Sequence, residues 1–262
     1  LDTILQDSYN HIIYVLLDGL GTNVIRHHLQ DTDGLRTYLH KEITSVFPPT
    51  TVAATDAVLS GLPPIVNGHL GWVQYFKEED TNIVVFLNQD FYTGVKPETD
   101  LREKYLSFTK IYDLIQQHSP SVQTNEYFPS FREGGSLSFA QEIERVLLST
   151  HNCDQSFNYV YWVEPDLTQH AHGIYSKEVG DVIRNLNTDF EQLIANVTDD
   201  TLVVLIADHG LTDVQQIPLF DYKDVTSLFT QKPSLEPRAT TFFIEEGKHK
   251  EFIERFNHHF SS

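Results

Sequence analysis

Four short runs of consecutive apolar residues constrain this chain most. His11 to Leu17 (HIIYVLL), Asn82 to Leu87 (NIVVFL), Tyr159 to Val163 (YVYWV) and Leu202 to Ala207 (LVVLIA) are rich in β-branched and aromatic side chains, and none alternates strictly with polar residues. A strand with one wet face alternates; a run without alternation reads as a strand covered on both faces, as in a parallel sheet between helices. Helix-like patterns lie between the runs, at Thr109 to His118, Ser136 to Leu148, Ser176 to Val197 and Lys248 to Phe260. This order predicts an α/β fold, a three-layer sandwich with a mainly parallel central sheet. Residues 68–134, rich in aromatic and turn residues, are expected to form an insertion over one sheet edge. A strand-like stretch from Arg238 to Glu246 followed by an amphipathic helix predicts that 214–262 begins a smaller cap subdomain beside a core of 1–213.

The chain has 262 residues, 40% of them hydrophobic, which is ample for a buried core and excludes a disordered chain. Lysine and arginine number 18 against 37 acidic residues, a formal charge of −19. A field of that sign repels a phosphate backbone, so nucleic-acid binding through a basic surface is not expected. An anionic substrate can still be accommodated where a bound divalent cation inverts the local potential, and thirteen histidines supply ligands for one. The single Cys153 excludes an internal disulfide and a cysteine-based zinc cluster. With no membrane-spanning run and no signal-peptide pattern at the first residues, the expected setting is soluble and cytoplasmic, away from membranes. The sequence leaves the oligomeric state open.

Three of the four apolar runs end near an aspartate. Asp18 follows HIIYVLL, Asp166 follows YVYWVEP and Asp208 follows LVVLIA. Loops at the carboxyl ends of strands form the ligand crevice of an open α/β sheet, so the three carboxylates are expected on one rim. Any one of them alone reads more simply as a helix cap. Two have a histidine close by: His170 stands four residues after Asp166, and His209 follows Asp208 directly. Oxygen and imidazole ligands without thiolate suit zinc or manganese in a catalytic site. His172 reads as a neighbour, and the pairs His27-His28 and His258-His259 as solvated helix faces.

The segment Val46-Phe47-Pro48-Pro49-Thr50-Thr51-Val52-Ala53-Ala54-Thr55 opens a helical run that closes at Ser60-Gly61-Leu62-Pro63-Pro64. The simple reading is that Thr50 caps this helix and Thr51 lies in its first turn. The functional reading is a threonine hydroxyl beside a dication at a helix N-terminus, able to attack phosphorus while helix amides face the phosphoryl oxygens.

Taken in order, YVLLDGLG at 14–21, FPPTTVAATDAVLSGLPP at 47–64, VEPDLTQHAHG at 163–173 and IADHGLTD at 206–213 resemble the motifs of the type I phosphodiesterase / nucleotide pyrophosphatase family of the alkaline phosphatase superfamily. The resemblance implies a hydrolase of phosphoric ester or phosphoanhydride bonds with two divalent ions, zinc first and manganese second. Asp18, Asp208 and His209 would hold one ion with Thr51 as its hydroxyl ligand and nucleophile, and Asp166 and His170 would hold the other. A phospho-threonine would form and then be hydrolysed. The substrate would be a small phosphorylated molecule such as a nucleotide.

Two departures from the family pattern stand out. No His-Gly motif follows Asp208-His209 to complete the second ion, and no Met occurs anywhere, so the chain is expected to be part of a longer one. The family's phosphoryl-holding Asn falls near Trp72, with Asn67 and Tyr75 as nearby candidates for substrate contact, alongside Phe76 and Tyr92. A phosphomonoesterase or phosphonate hydrolase of the phosphonoacetate type, and a non-catalytic metal- or nucleotide-sensing module, are the alternatives. Sulfatases are disfavoured because their nucleophile motif is absent, and cofactor-independent phosphoglycerate mutases because they use serine where Thr51 stands.

Overall fold

The computed structural model describes residues 8–260. One sheet is parallel throughout, in the order β5 (Gln123–Tyr127), β6 (Ser156–Trp162), β1 (His11–Leu17) and β7 (Thr201–Ile206). Alternate side chains of β1 divide between two cores. Ile13, Val15 and Leu17 point into one with Val24 of α1 (Thr22–His28), Ile143 and Val146 of α7 (Phe139–His151), and Val179, Ile183 and Phe190 of α9 (Lys177–Asn196). Leu16 points into the other with Tyr159 and Tyr161 of β6, Leu59 of α3 (Thr51–Ser60) and Tyr112 of α6 (Ile111–His118). Helices therefore cover both faces, which is why β1 from Ile12 and β6 from Tyr159 are apolar without a break. This is the expected three-layer α/β sandwich.

A second, antiparallel sheet follows the order β4 (Gln89–Asp90), β3 (Thr81–Val84), β2 (Val73–Phe76), β8 (Phe229–Glu236) and β9 (Ala239–Ile244). It is assembled from two distant stretches of chain, the aromatic segment after residue 68 and the segment after 214, joined where Val73 pairs with Leu235. Phe76 and Ile83 of this sheet pack with Val52 of α3 and with Leu101 and Leu106 of α5 (Leu101–Leu106). Helix α3 thus contributes Leu59 to a core on the parallel sheet and Val52 to the core under the antiparallel one. The remaining helices are α2 (Gly34–Thr37), α4 (Pro64–Asn67), α8 (Asp166–His172), α10 (Lys223–Thr226) and α11 (His249–Phe260). Phe252 and Phe256 of α11 pack at a tilt against Phe242 of β9, at 5.2 and 5.4 Å between ring centroids.

Two expectations need correction. The run Asn82 to Leu87 does not join the parallel sheet; its strand is β3, paired antiparallel with β2. A continuous apolar run reports burial, here under α3 and α5, and not strand direction. Direction is set by the connection, the short turn Lys77–Asp80, in which Asp80 takes the left-handed conformation at φ 46°. Conversely, β5 belongs to the parallel sheet although it lies inside the 68–134 stretch read as an insertion. Its sequence QTNEY buries only Tyr127, as befits an edge strand, and so carries no apolar signal. The long helices fall where their patterns indicate, with Ser138 and Ser176 capping α7 and α9 by accepting from Gln141 N and Val179 N at 3.2 Å each. No helix among the described residues is long and apolar enough to cross a membrane.

Helix α9 shares one core with β1 and α7. Ile183, with no exposed surface, sits in that core. Ile183→Ala is expected to lower unfolding free energy by about 2–5 kcal/mol in urea titration. A loss under about 1 kcal/mol would show that the core is not packed as described.

Candidate active site

Strand register brings the three aspartates together. Leu17 at the end of β1 stands opposite Trp162 of β6, and Leu16 opposite Ile206 of β7, so the three chains leave the sheet at one level. The backbone then ties them: Asp18 N donates to Trp162 O at 2.9 Å, Asp166 N to Asp18 O at 3.1 Å, and Gly19 N to the Asp208 carboxylate at 3.0 Å. Glycine is required at two places in this knot. Gly19 has φ +71°, and a Cβ there would stand 3.0 Å from the Asp166 backbone. A Cβ at Gly21 would stand 2.9 Å from Gly210 Cα, so the loops after β1 and β7 pass too closely for side chains.

Within this frame Asp18, Asp166 and His209 offer ligand atoms that all lie within 4.8 Å of one another. His209 Nε2 is 3.4 Å from Asp18 Oδ1 and 3.6 Å from Asp208 Oδ2. Thr51, the first residue of α3, places Oγ1 3.3 Å from Asp18 Oδ1 and 3.1 Å from His209 Nε2. Thr50 is buried and stands at the N-cap position of α3, as the simple reading expects, its carbonyl accepting Ala54 N at 3.0 Å; its side chain makes no cap bond, so the first-turn amides have no side-chain acceptor from it. His170 touches the cluster at one point only, Asp166 Oδ1 at 3.5 Å, and its side chain is otherwise exposed. The remaining expected contacts lie apart from this cluster in their bonding. Asn67 is buried and spends its amide on Ser60, Leu62 and His69 N, and Tyr75 donates to Asp80. The Trp72 backbone donates to Glu236 while its ring packs on Phe86.

The residues fit a divalent metal on their own chemistry. Asp166 Oδ1 and Asp208 Oδ2 are buried without a hydrogen-bond partner, an arrangement that is costly unless a cation completes it. Burial pushes the Asp18 carboxyl well above its ordinary range, reinforced by the neighbouring charges of Asp208 and Asp166 and opposed by the Tyr161 hydroxyl that donates to it. Burial raises Asp166 as well, with His170 and His209 opposing it and Asp208 and Glu164 adding to it. A dication removes both causes by supplying the missing charge and the missing ligand contacts.

Two groups that sequence reasoning missed support the site. Tyr161 reaches the Asp18 carboxylate from β6; its only sequence signal is a tyrosine inside an apolar strand. Asp56, one and a half turns along α3 from Thr51, is 1% exposed and receives Arg102 of α5 at 2.8 and 3.0 Å and His69 Nε2 at 3.2 Å. Burial pushes Asp56 up to about 6 despite Arg102, and burial together with Arg102 pushes His69 down to about 4. A carboxylate in the middle of an Ala-rich helix was its signal.

The fold and this cluster define a class: an α/β sandwich with a second, antiparallel sheet, carrying an acid-and-histidine cluster at the carboxyl edge of its parallel sheet. Residues 12–259 match the model of the family described as type I phosphodiesterase / nucleotide pyrophosphatase, and the chain belongs to that family. It is accordingly a hydrolase acting on phosphoester or pyrophosphate bonds. Among solved structures it is similar to the murine ectonucleotide pyrophosphatase / phosphodiesterase 5 in an inactive form complexed with AMP, with TM-score 0.73 and 17% identity over 97% of this chain and 71% of that one. The same murine protein in a second structure gives TM-score 0.70 and 18% identity over 93% and 69%. No curated protein matches the sequence.

The raised Asp18 carboxyl has a consequence for stability. Folding holds its proton above the ordinary value of 3.8, so the metal-free protein loses stability as pH rises from about that value through the raised one. In chelator-treated protein, Asp18→Asn is expected to raise Tm by roughly 2–4 °C at neutral pH, with the gap widening as pH rises above the ordinary carboxylate range. Zinc should reverse the order by stabilising only the wild type. Equal zinc shifts in both proteins would remove Asp18 from the metal site.

Proposed function

We propose that this chain hydrolyses phosphodiester or pyrophosphate bonds of a nucleotide-like substrate, with Thr51 as nucleophile at a dication site built from Asp18, Asp166, Asp208, His209 and His170. The observation that carries the reading is the position of Thr51 Oγ1, at the start of α3 and within 3.3 Å of both Asp18 and His209. Zinc or manganese bound there would supply charge stabilisation of the phosphoryl oxygens and would lower the pKa of the attacking hydroxyl.

The protein's own groups account for the rest of the chemistry. Thr51 Oγ1 forms a bond to phosphorus as the bond to the leaving oxygen breaks, and the hydroxyl proton faces the Asp18 carboxylate and His209 Nε2 as acceptors. The amides of the first turn of α3, not engaged by the Thr50 side chain, face the phosphoryl oxygens. Water then attacks the phospho-threonine, which releases the phosphorylated product and restores the Thr51 hydroxyl. Tyr161 fixes the Asp18 carboxylate from below, and the Asp56–Arg102 pair fixes α3 against α5. The murine neighbour's complex with AMP supports a nucleotide as substrate or product.

A phosphomonoester or phosphonate substrate is the second reading. It rests on the sequence, where Trp72 falls near the register of the family's phosphoryl-holding Asn.

With zinc or manganese, the chain is expected to cleave bis-p-nitrophenyl phosphate faster than p-nitrophenyl phosphate. Thr51→Ala should lower kcat by more than about a thousandfold, with chelation doing the same. Preference for the monoester would support the second reading. Activity surviving both chelation and Thr51→Ala would refute the mechanism, and a metal-loaded protein inactive on both esters would indicate a sensing module.

A further inference from the structure

The loop after β5, residues 128–136, stands beside the candidate site and is absorbed by nothing in the mechanism. Its base is rigid. Ser136 N donates to Phe128 O at 2.9 Å, and Arg145 donates to Gly134 O at 3.0 Å and Ser136 Oγ at 2.9 Å. Gly135 passes so close to Pro129 that a Cβ would meet its carbonyl oxygen at 2.1 Å. Two rings fasten the loop to the site: Phe128 and Phe131 pack on Tyr161 at 5.6 and 6.4 Å between centroids, and the Tyr161 hydroxyl donates to Asp18. Tyr161 lies on the face of the parallel sheet that α3 covers, so the loop and Thr51 share that side.

At the tip, Phe131 is 65% exposed and the Arg132 guanidinium lies over the Phe128 ring at 3.5 Å. Glu126 is the carboxylate facing Arg132, at 3.6 Å, and it also faces Lys110 at 3.8 Å. Lys110 and Arg132 bring two cations to this side of a protein whose formal charge is −19, and the carboxylates beside them are Glu126 and Asp113, which accepts from Lys110 N at 3.2 Å. Among the described residues, the ion pairs of Asp18, Asp166 and Asp208 are all with histidine, so no lysine or arginine serves the cluster itself.

We propose that Arg132, held flat on Phe128 with Lys110 beside it, binds a second anionic group of the substrate, a phosphate or carboxylate borne near the reacting phosphoryl group. This deepens the hydrolase reading and rests on it for the identity of the reacting group. The stacked guanidinium is already ordered, so little side-chain entropy is lost when the anion arrives, and its planar fork matches either group. Arg132 is therefore a specificity residue, which selects doubly anionic substrates over singly anionic ones.

The test uses the zinc-loaded full chain carrying Thr51→Ala, titrated calorimetrically with methylphosphonate, methylenediphosphonate and phosphonoacetate. The doubly anionic probes should bind about tenfold more tightly than methylphosphonate, the effect of one charge-assisted contact. Adding Arg132→Ala should close most of that gap, and Arg132→Lys should restore part of it. The tighter of the two doubly anionic probes tells phosphate from carboxylate. Equal affinity for all three probes, or a gap that survives Arg132→Ala, overturns the proposal. Turnover of bis-p-nitrophenyl phosphate by the wild type is measured alongside. A gap without turnover would keep the subsite and remove the hydrolase reading, and turnover without a gap would do the reverse.

Discussion

The close approach of three carboxylates at one edge of a parallel sheet is the constraint on which the rest depends. Asp18, Asp166 and Asp208 are held by backbone hydrogen bonds that run between their own loops, including Gly19 N to Asp208 and Asp166 N to Asp18 O. Like charges at that distance repel, and burial raises the cost further. The surrounding structure opposes this at identifiable points: glycines that let the loops touch, a tyrosine hydroxyl on Asp18, and two histidines facing the carboxylates. What is left unmet, two bare buried oxygens, is what a divalent cation satisfies.

Helix α3 links this cluster to the second sheet. Its first residue carries the hydroxyl, its middle holds the buried Asp56–Arg102 pair, and Val52 and Leu59 pack into different cores. A nucleophile must be held to within a fraction of an ångström, and a helix fixed on two sides does this better than a loop. The acid excess of the chain takes on a local meaning here. Part of it forms the cluster proposed to hold a dication, and Arg132 stands across Phe128 and Tyr161 from it.

The sequence exposed the parts of this arrangement that follow from local rules. The runs that became β1, β6 and β7 end at the aspartates because a buried strand must end where its polar loop begins, and the sheet register does the rest. The prolines and glycine mark the helix start, while the preference for Thr51 over Thr50 comes from the family register counted back from Gly61. Strand direction in Asn82 to Leu87 was not readable, because burial produces the same pattern under either pairing. Strand β5 was silent because an edge strand buries one residue in five. Tyr161 and the Asp56–His69–Arg102 group act through contacts between residues far apart in the chain, such as Asp56 with Arg102, and no local spacing announces them. Asn67 illustrates the reverse case, a polar residue near the expected place whose hydrogen bonds are already committed to its own loop.

The central claim is that the carboxylate cluster and α3 together make Thr51 a nucleophile. Rapid acid quench of the zinc-loaded chain during turnover of bis-p-nitrophenyl phosphate, followed by peptide mass spectrometry, tests it directly. The account predicts a phosphoryl adduct on the peptide carrying Thr51, localised to that residue and absent from Thr51→Ala. Burst release of p-nitrophenol with no adduct on Thr51, or with the adduct on Thr50, would contradict it.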